Sequence, residues 1–139
     1  MIFTGIEIAA ILFIHWIADF ILQTHWQASN KSKRWDALLM HTGSYSIASM
    51  ILIMCFYFIP VLKEFDPVNS IIVLFLLGFL YGLSAFIFHT ITDYFTSRWT
   101  SKLYAKGDFH NFFVVIGFDQ LLHYLQLFIT YYFIFKHVY

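Results

Sequence analysis

Residues 68–97 read VNSIIVLFLLGFLYGLSAFIFHTITDYFTS, an apolar run without a single Lys or Arg. A helix needs about 20 such residues to cross the roughly 30 Å hydrocarbon core of a bilayer. Asp66-Pro67 stands directly before the run. Asp is a favoured N-cap residue and Pro is favoured at the first helical position. The stretch therefore predicts a helix that begins at Pro67 and is long enough to span a membrane.

Three more segments have a length and hydrophobicity comparable to those of this run. The four predicted spans are Ile2–Gln23, Ala37–Leu62, Val68–Ser97 and Phe112–Phe135. Gly107-Asp108 breaks the chain before the last of them. Because no internal repeat or linker divides the sequence, we expect one all-α domain over residues 1–139. Its predicted architecture is an integral membrane, antiparallel four-helix transmembrane bundle.

The composition agrees with a chain immersed in lipid. Hydrophobic residues make up 60% of the sequence and charged residues 12%, whereas a soluble domain averages about 45–50% and ~25%. The formal net charge is zero, so no basic face is expected to attract nucleic acid. Membrane lipid is the expected partner. The single cysteine, Cys55, excludes a disulfide within the chain.

Positively charged residues predict the direction of insertion, because they accumulate on the cytoplasmic side of membrane proteins. The loops after the first and third spans hold Lys31, Lys33, Arg34, Arg98, Lys102 and Lys106, whereas the opposite side holds Lys63 and Lys136. The two basic loops are therefore expected to face the cytoplasm, with both termini outside. We assign the basic residues to topology and to contacts with anionic headgroups.

Polar residues recur inside the apolar spans with helical spacing. The i,i+4 pairs are His15 with Asp19, His41 with Tyr45, His89 with Asp93, and Asp119 with His123. Residues four apart share one helix face. An Asp near the centre of a membrane helix costs roughly 2.5–3.5 kcal/mol on insertion scales. We therefore expect the polar faces to converge inside the bundle, near the cytoplasmic leaflet, with a nearly apolar outer half.

The predicted polar site needs a positive partner, because no Lys or Arg lies within the central spans. Buried carboxylates must be protonated, paired with histidinium or bound to a cation. The candidate ligands of a divalent metal are His15, Asp19, His41, His89, Asp93, Asp119 and His123, and Gln23 and Gln120 are expected to support them by hydrogen bonds. Zinc is favoured over manganese or iron, and one or two ions remain open. The alternative is a set of hydrogen-bonded pairs, each within its own helix.

The order of these residues resembles a known pattern. It runs His15-x3-Asp19-Phe20-x-Leu22-Gln23, Trp26, Asn30-Lys31, Leu38-Leu39-x-His41, His89-x3-Asp93 and Asp119-Gln120-x2-His123. This resembles the bacterial and phage membrane family known as domain of unknown function 3307. The resemblance implies a small multi-pass protein of the bacterial cytoplasmic (inner) membrane and supplies no reaction. The H-x3-D pairs are also similar in style to membrane-bound metal-dependent hydrolases.

Three functions are compatible with the sequence. A metal-dependent hydrolase of lipid-linked substrates would use Asp19, Asp93 or Asp119 as ligand or general base, and His41 or Tyr45 as proton donor. The short loops offer little to shape a substrate pocket for it. Cation or proton transport or sensing is the second function, and the apolar outer half disfavours it. A non-catalytic accessory subunit is the third, and the sequence leaves open a homo-oligomer or a partner membrane subunit.

Overall fold

The chain folds into helices throughout the part that the structure describes. The computed structural model describes residues 3–64 and 66–136, so Ile2 of the first predicted span lies outside them. The elements are α1 (Gly5–Trp16, continuing as a π-helical turn over Ile17–Ile21), α2 (His25–Asn30), α3 (Trp35–Glu64), α4 (Pro67–Ala105) and α5 (Phe109–Phe135). No strand occurs in these two ranges, which confirms the all-α prediction.

The breaks between the long helices occur at the capping and turn residues that the sequence predicts. The Asp66 side chain accepts hydrogen bonds from the backbone amides of Val68 and Asn69, and Pro67 occupies the first turn of α4. Gly107 has a φ of +73°, a conformation that glycine adopts without steric cost. Asp108 then caps α5. Both predicted helix boundaries are confirmed.

Three helices are long and apolar enough to cross a membrane, namely α3, α4 and α5. Each contains one predicted span. Helix α4 has 39 residues and is therefore about 58 Å long at ~1.5 Å per residue, so its last turns extend past the predicted end at Ser97. The first predicted span is shorter than expected, with 12 α-helical residues and five in the π turn.

Helices α3 and α4 approach most closely at two glycines of α4. A Cβ atom added at Gly82 would lie 3.0 Å from Cβ of Met50 and 3.2 Å from the Ser46 carbonyl oxygen, and one at Gly78 would meet the Met54 side chain. The Ser46 hydroxyl donates a hydrogen bond of 2.5 Å to the Gly82 carbonyl. The glycines therefore permit a backbone separation that a side chain would prevent.

The largest apolar core fills the half of the structure where α3 ends and α4 begins. Ile11, Ile53 and Leu127 are buried there, one each from α1, α3 and α5. Large apolar side chains also cover the outer faces of all four long elements. A water-soluble domain rarely exposes such continuous apolar surface, which agrees with three membrane-spanning helices.

A charged residue also lies in this half, where the sequence predicts a nearly apolar interior. The Glu7 carboxylate accepts hydrogen bonds from the Tyr131 hydroxyl at 2.7 Å and from Nζ of Lys136 at 2.9 Å. The Tyr57 hydroxyl contacts both Glu7 and Tyr131. The nearly apolar outer half therefore contains one buried polar group of residues that the sequence analysis did not identify, the Glu7 cluster of Glu7, Tyr57, Tyr131 and Lys136.

Candidate metal site

The polar residues of four helices meet at the other end of the apolar core. Asp19 comes from the π turn after α1, His41 from α3, His89 and Asp93 from α4, and Asp119 and His123 from α5. All are buried except Asp119, which is partly exposed. The π turn inserts one extra residue per turn relative to an α-helix, a feature often found at functional sites. Sequence spacing alone did not indicate this turn.

Four side-chain atoms form the most compact part of this cluster. His41 Nε2 lies 3.1 Å from Asp19 Oδ1, 3.1 Å from His89 Nε2 and 3.2 Å from Asp93 Oδ2. His89 Nε2 lies 3.5 Å from the same Asp19 oxygen and 3.6 Å from the same Asp93 oxygen. Ligand atoms bound at about 2.0–2.1 Å around a tetrahedral zinc ion are roughly 3.3 Å apart. Five of the six separations among these four donors, defined here as the inner donor group, therefore lie close to the spacing of ligand atoms around a metal ion.

A second set of donors lies on the other side of Asp93. His123 Nε2 is 3.3 Å from Asp93 Oδ1 and 3.4 Å from Asp119 Oδ1. Each of these three residues offers a ligand atom within 4.8 Å of the others. We define Asp93, Asp119 and His123 as the outer donor group. Asp93 faces both groups, with Oδ2 towards the inner one and Oδ1 towards the outer one.

The histidine rings are oriented by stacking and by one amide. The His89 ring is stacked between Tyr45 and His123, with centroids 3.9 and 4.1 Å away. Nδ1 of His89 and of His123 has no hydrogen-bond partner among residues 3–64 and 66–136. His41 Nδ1 lies 3.0 Å from the amide of Gln23. The Gln23 atom that faces Nδ1 is the amide nitrogen Nε2, so a metal on His41 Nε2, which requires the proton on Nδ1, also requires the Gln23 amide to turn its oxygen towards the ring.

His15 lies beside the cluster rather than at its centre. Its Nδ1 is 3.0 Å from the Tyr45 hydroxyl, and its Nε2 is 3.0 Å from Gln120 Oε1. Nε2 is also 3.7 Å from Asp19. Both ring nitrogens therefore have hydrogen-bonding partners, whereas His41 and His89 direct Nε2 at the carboxylates of other helices.

Separate hydrogen-bonded pairs within single helices do not describe this arrangement. The shortest histidine–carboxylate separations join different helices, at 3.1 Å for His41 with Asp19 and 3.2 Å for His41 with Asp93. The corresponding separation within α4, from His89 to Asp93, is 3.6 Å. The structure therefore brings all seven predicted ligand residues into one network, and the buried His/Asp groups can hold a metal ion.

Lys31 is the site residue that the sequence analysis missed. Its Nζ lies 2.7 Å from Asp93 Oδ2 and 3.4 Å from His41 Nε2. Burial lowers the pKa of Lys31, but the nearby Asp93 and Asp19 raise it above its ordinary value overall, so the side chain stays protonated. Assigning Lys31 only to membrane topology was wrong. The sole sequence signal was its place in the Asn30-Lys31 motif.

A cleft of about 670 Å³ adjoins the cluster, although the short loops predicted little room for one. Helix α2 and the extended end of α4 supply its walls. The site residues that line it are Asp19, Gln23, Lys31, Asp93, Asp119 and Gln120. Asp119 is held there by the Thr96 hydroxyl at 2.5 Å and by the Gln120 amide at 3.1 Å. A molecule in the cleft would therefore meet all three carboxylates.

The two predicted proton donors, His41 and Tyr45, do not line the cleft. Both side chains are completely buried, and neither is among the residues that border the cavity. The Tyr45 hydroxyl is engaged with His15. Lys31 is the proton-bearing side chain that reaches both the cleft and Asp93. The geometry therefore does not support a direct proton transfer from His41 or Tyr45 to a molecule in the cleft.

Comparison with known proteins adds no relative. No protein-family model, curated protein or solved structure matches the chain.

Proposed function

We propose that this protein is a metal-dependent membrane hydrolase that acts on lipid-linked substrates at the cytoplasmic leaflet. The observation that carries the proposal is the spacing of the inner donor group, in which five donor–donor distances lie between 3.1 and 3.6 Å. Two imidazoles and two carboxylates form a ligand set suited to zinc, ahead of manganese or iron. In this proposal Asp19, His41, His89 and Asp93 bind the ion.

Charge balance allows one divalent ion in the resting protein. Asp19, Asp93 and Asp119 contribute three negative charges, and Lys31 contributes one positive charge at 2.7 Å from Asp93. One divalent ion bound by neutral histidines brings the sum to zero. An uncompensated charge in a low-dielectric interior is strongly unfavourable, so the site needs two further positive charges, which either one divalent ion or two histidinium rings supply.

The cleft supplies the place where chemistry would occur. Asp19, His41, His89 and Asp93 would fill a tetrahedral site, so a water on the ion would take a fifth position, where the ion would lower the pKa of the water and polarise a carbonyl or phosphoryl oxygen. Asp119 borders the cavity and is not among the four ligands, so it is positioned to accept a proton from that water. Lys31 is placed to stabilise negative charge that develops on the substrate. On the side away from the cleft, Tyr45 stacks on the His89 ring. Gln120 donates a hydrogen bond to Asp119 and also contacts His15.

The proposed membrane arrangement adds α1 to the three apolar helices as the fourth helix of a transmembrane bundle. The support is its packing against α3 and α5 and the exposed apolar side chains along it, such as Ile6 and Phe13. The excess of Lys and Arg at the end that holds the cleft favours a cytoplasmic location for it. Placement in a bacterial inner membrane, with both termini outside, and membership of the resembled family remain predictions.

An apolar layer favours hydrolysis over transport. Ile11, Ile53 and Leu127 are buried together between the Glu7 cluster and the His/Asp cluster. An ion or proton path through one chain would have to cross this layer. Because all the residues that line the cleft lie on the site side of this layer, the arrangement resembles an enzyme site more than a conduit.

Elemental analysis of the purified protein tests the metal assignment. We expect about one zinc, manganese or iron ion per chain. His89→Ala should abolish metal binding, because it removes an imidazole ligand that lies close to both Asp19 and Asp93. His110→Ala is the matched control, since His110 is exposed on the first turn of α5. A metal-free wild-type protein that remains folded would contradict the assignment.

Hydrolysis requires its own assay. Metal-loaded protein would be incubated with vesicles of bacterial total lipid, and the products would be identified by mass spectrometry. Asp93→Asn should remain folded, because the amide keeps the shape of the carboxylate, and should form no product. Equal product formation by wild type and Asp93→Asn would overturn the hydrolase proposal while leaving the metal assignment intact.

A further inference from the structure

The two oxygens of the Asp93 carboxylate face different sets of donors. Oδ2 lies 3.2 Å from His41 Nε2 in the inner donor group, and Oδ1 lies 3.3 Å from His123 Nε2 in the outer donor group. A carboxylate in this position can bridge two metal ions, which are about 3.5–4 Å apart in two-metal hydrolytic sites. The geometry thus offers a second cation position in addition to that of the proposed function.

The two donor groups differ in access to the cleft. His41 and His89 are completely buried and do not border the cavity. Asp119 borders it, and its side chain is 17% exposed, compared with 3% for Asp93. Sites that hold a permanent structural ion are closed, whereas catalytic metal sites keep a position open to water or substrate. Both groups have two carboxylates at the cavity and their histidines away from it, and the partly exposed Asp119 makes the outer donor group the more open of the two.

Charge distinguishes the two positions further. With one divalent ion and Lys31, the three carboxylates are balanced. A second divalent ion would leave two uncompensated positive charges in a largely buried site. The described part of the site offers no further acidic side chain to offset them, so the compensating charge must enter through the cleft.

We propose that the outer donor group binds a second divalent cation together with a phosphate monoester dianion held in the cleft. The proposal rests on the proposed function for its first ion and names the substrate class of the same site. A phosphate monoester carries a charge of about −1.5 to −2 at pH 7, which matches the excess. A phosphodiester or a carboxylate carries one negative charge and would leave the site positive.

The lining of the cleft agrees with a phosphate ligand. The hydroxyl-bearing residues Ser97, Thr100 and Ser101 border it on α4, and Lys33 borders it opposite them. Hydroxyls and an ammonium group are ordinary hydrogen-bond donors to phosphate oxygens. The Ser97 hydroxyl is buried without a hydrogen-bond partner among the described residues, so it is available to a phosphate oxygen, whereas the Thr100 hydroxyl already donates to the Thr96 and Ser97 carbonyls.

Phosphate could enter as a free ion or as the headgroup of a lipid. The cleft is bordered by Phe20 of the π turn and by Phe112 and Ile116 of α5. Phe20 is half exposed on the outer surface, so this border of the cleft offers an acyl or prenyl chain an apolar surface. The chemistry shared by both sources is the dianionic phosphate.

The experiment counts manganese ions per chain and records their electron paramagnetic resonance spectrum. The full chain would be reconstituted in nanodiscs of dioleoyl phosphatidylcholine and equilibrated with Mn²⁺ alone, with inorganic phosphate, or with added dioleoyl phosphatidic acid. We expect one ion and a mononuclear spectrum without phosphate, and two exchange-coupled ions with phosphatidic acid. A response to inorganic phosphate would show that the headgroup suffices, and a response to phosphatidic acid alone that the lipid chain is required.

Asp119→Asn separates the two positions. The amide preserves the contact with Thr96 but removes one ligand charge, so the variant should keep the first ion and lose the second in the presence of phosphatidic acid. Retention of the first ion shows that the variant is folded. Asp36→Asn, an exposed carboxyl at the start of α3, is the matched control and should bind two ions.

Linkage supplies an independent measurement. Because coupling between two ligands is reciprocal, phosphate should raise the affinity for the second Mn²⁺ by the same factor as Mn²⁺ raises the affinity for phosphate, and we expect at least about tenfold. One ion under every condition, or two ions without phosphate, would overturn this inference while sparing the proposed function. No ion under any condition would overturn both.

Discussion

Nζ of Lys31 lies 2.7 Å from Oδ2 of Asp93, the same oxygen that belongs to the inner donor group. A side chain from the turn after α2 thus places a fixed positive charge beside the proposed metal position. The protein's own cation offsets part of the carboxylate charge and repels a second cation at the same point.

Replacing this charge should strengthen metal binding. Lys31→Met keeps the length of the side chain and removes the ammonium group, which leaves the site more negative. Unit charges about 4 Å apart interact by about 4 kcal/mol at an effective dielectric constant of 20, so an increase of at least tenfold in divalent-metal affinity is expected. The affinity is measured by titration calorimetry in detergent.

The metal-free variant should also be less stable, since Asp93 loses its partner. Lys33→Met removes a neighbouring exposed charge and should change neither quantity appreciably. Weaker metal binding by Lys31→Met than by Lys33→Met would show that Lys31 supports the ion rather than opposing it.

Metal occupancy should fall as the pH is lowered through the range in which histidine titrates. A metal ligand must be the neutral imidazole, whose ordinary pKa is about 6.5. Because His41 and His89 both serve the inner ion, up to two protons replace it and the loss should be steep below about pH 6. Titration calorimetry at a series of pH values provides the measurement, and a metal affinity that stays unchanged from pH 7 to pH 5 would exclude histidine ligation.

Glu7 should contribute to stability without affecting the metal. Glu7→Gln weakens the contacts with Lys136 and Tyr131 at the far end of the bundle, and a disrupted buried hydrogen bond of this kind costs about 1–3 kcal/mol. We expect a lower thermal midpoint and unchanged metal content. Glu64→Gln, at an exposed position at the end of α3, is the control. Equal midpoints for the two variants would show that the Glu7 contacts contribute nothing.

Two glycine-to-alanine substitutions should have opposite effects. An alanine at Gly82 would press against Cβ of Met50 and the Ser46 backbone, and overpacking of this kind costs roughly 1–3 kcal/mol. At Gly117 the added methyl group meets nothing within 4 Å, and alanine favours a helix by about 1 kcal/mol over glycine. Thermal unfolding should therefore show destabilisation by Gly82→Ala and stabilisation by Gly117→Ala.

The long helices were predictable because their signals are local. Asp66 and Pro67 mark the start of α4, Gly107 and Asp108 separate α4 from α5, and the spans between them are continuously apolar. Helical spacing also placed His89 with Asp93, and His123 with Asp119, on common faces. These features depend on residues within a few turns of one another.

The features that were missed depend on contacts between distant segments. Nothing near Lys31 in the sequence indicates that its side chain turns back to Asp93, 62 positions later. Glu7 accepts a hydrogen bond from Lys136, which is 129 positions later in the sequence. The π turn at Asp19 and the cleft wall formed by α2 likewise result from packing, which a periodic pattern does not encode.

The inner and outer donor groups take residues from the first and the last helix, and this has a consequence for biosynthesis. Asp19 is translated about a hundred residues before Asp119 and His123. A nascent chain that ends before α5 therefore carries the complete inner donor group and Lys31, but only Asp93 of the outer donor group. The order of synthesis thus lets the inner position assemble before the outer one.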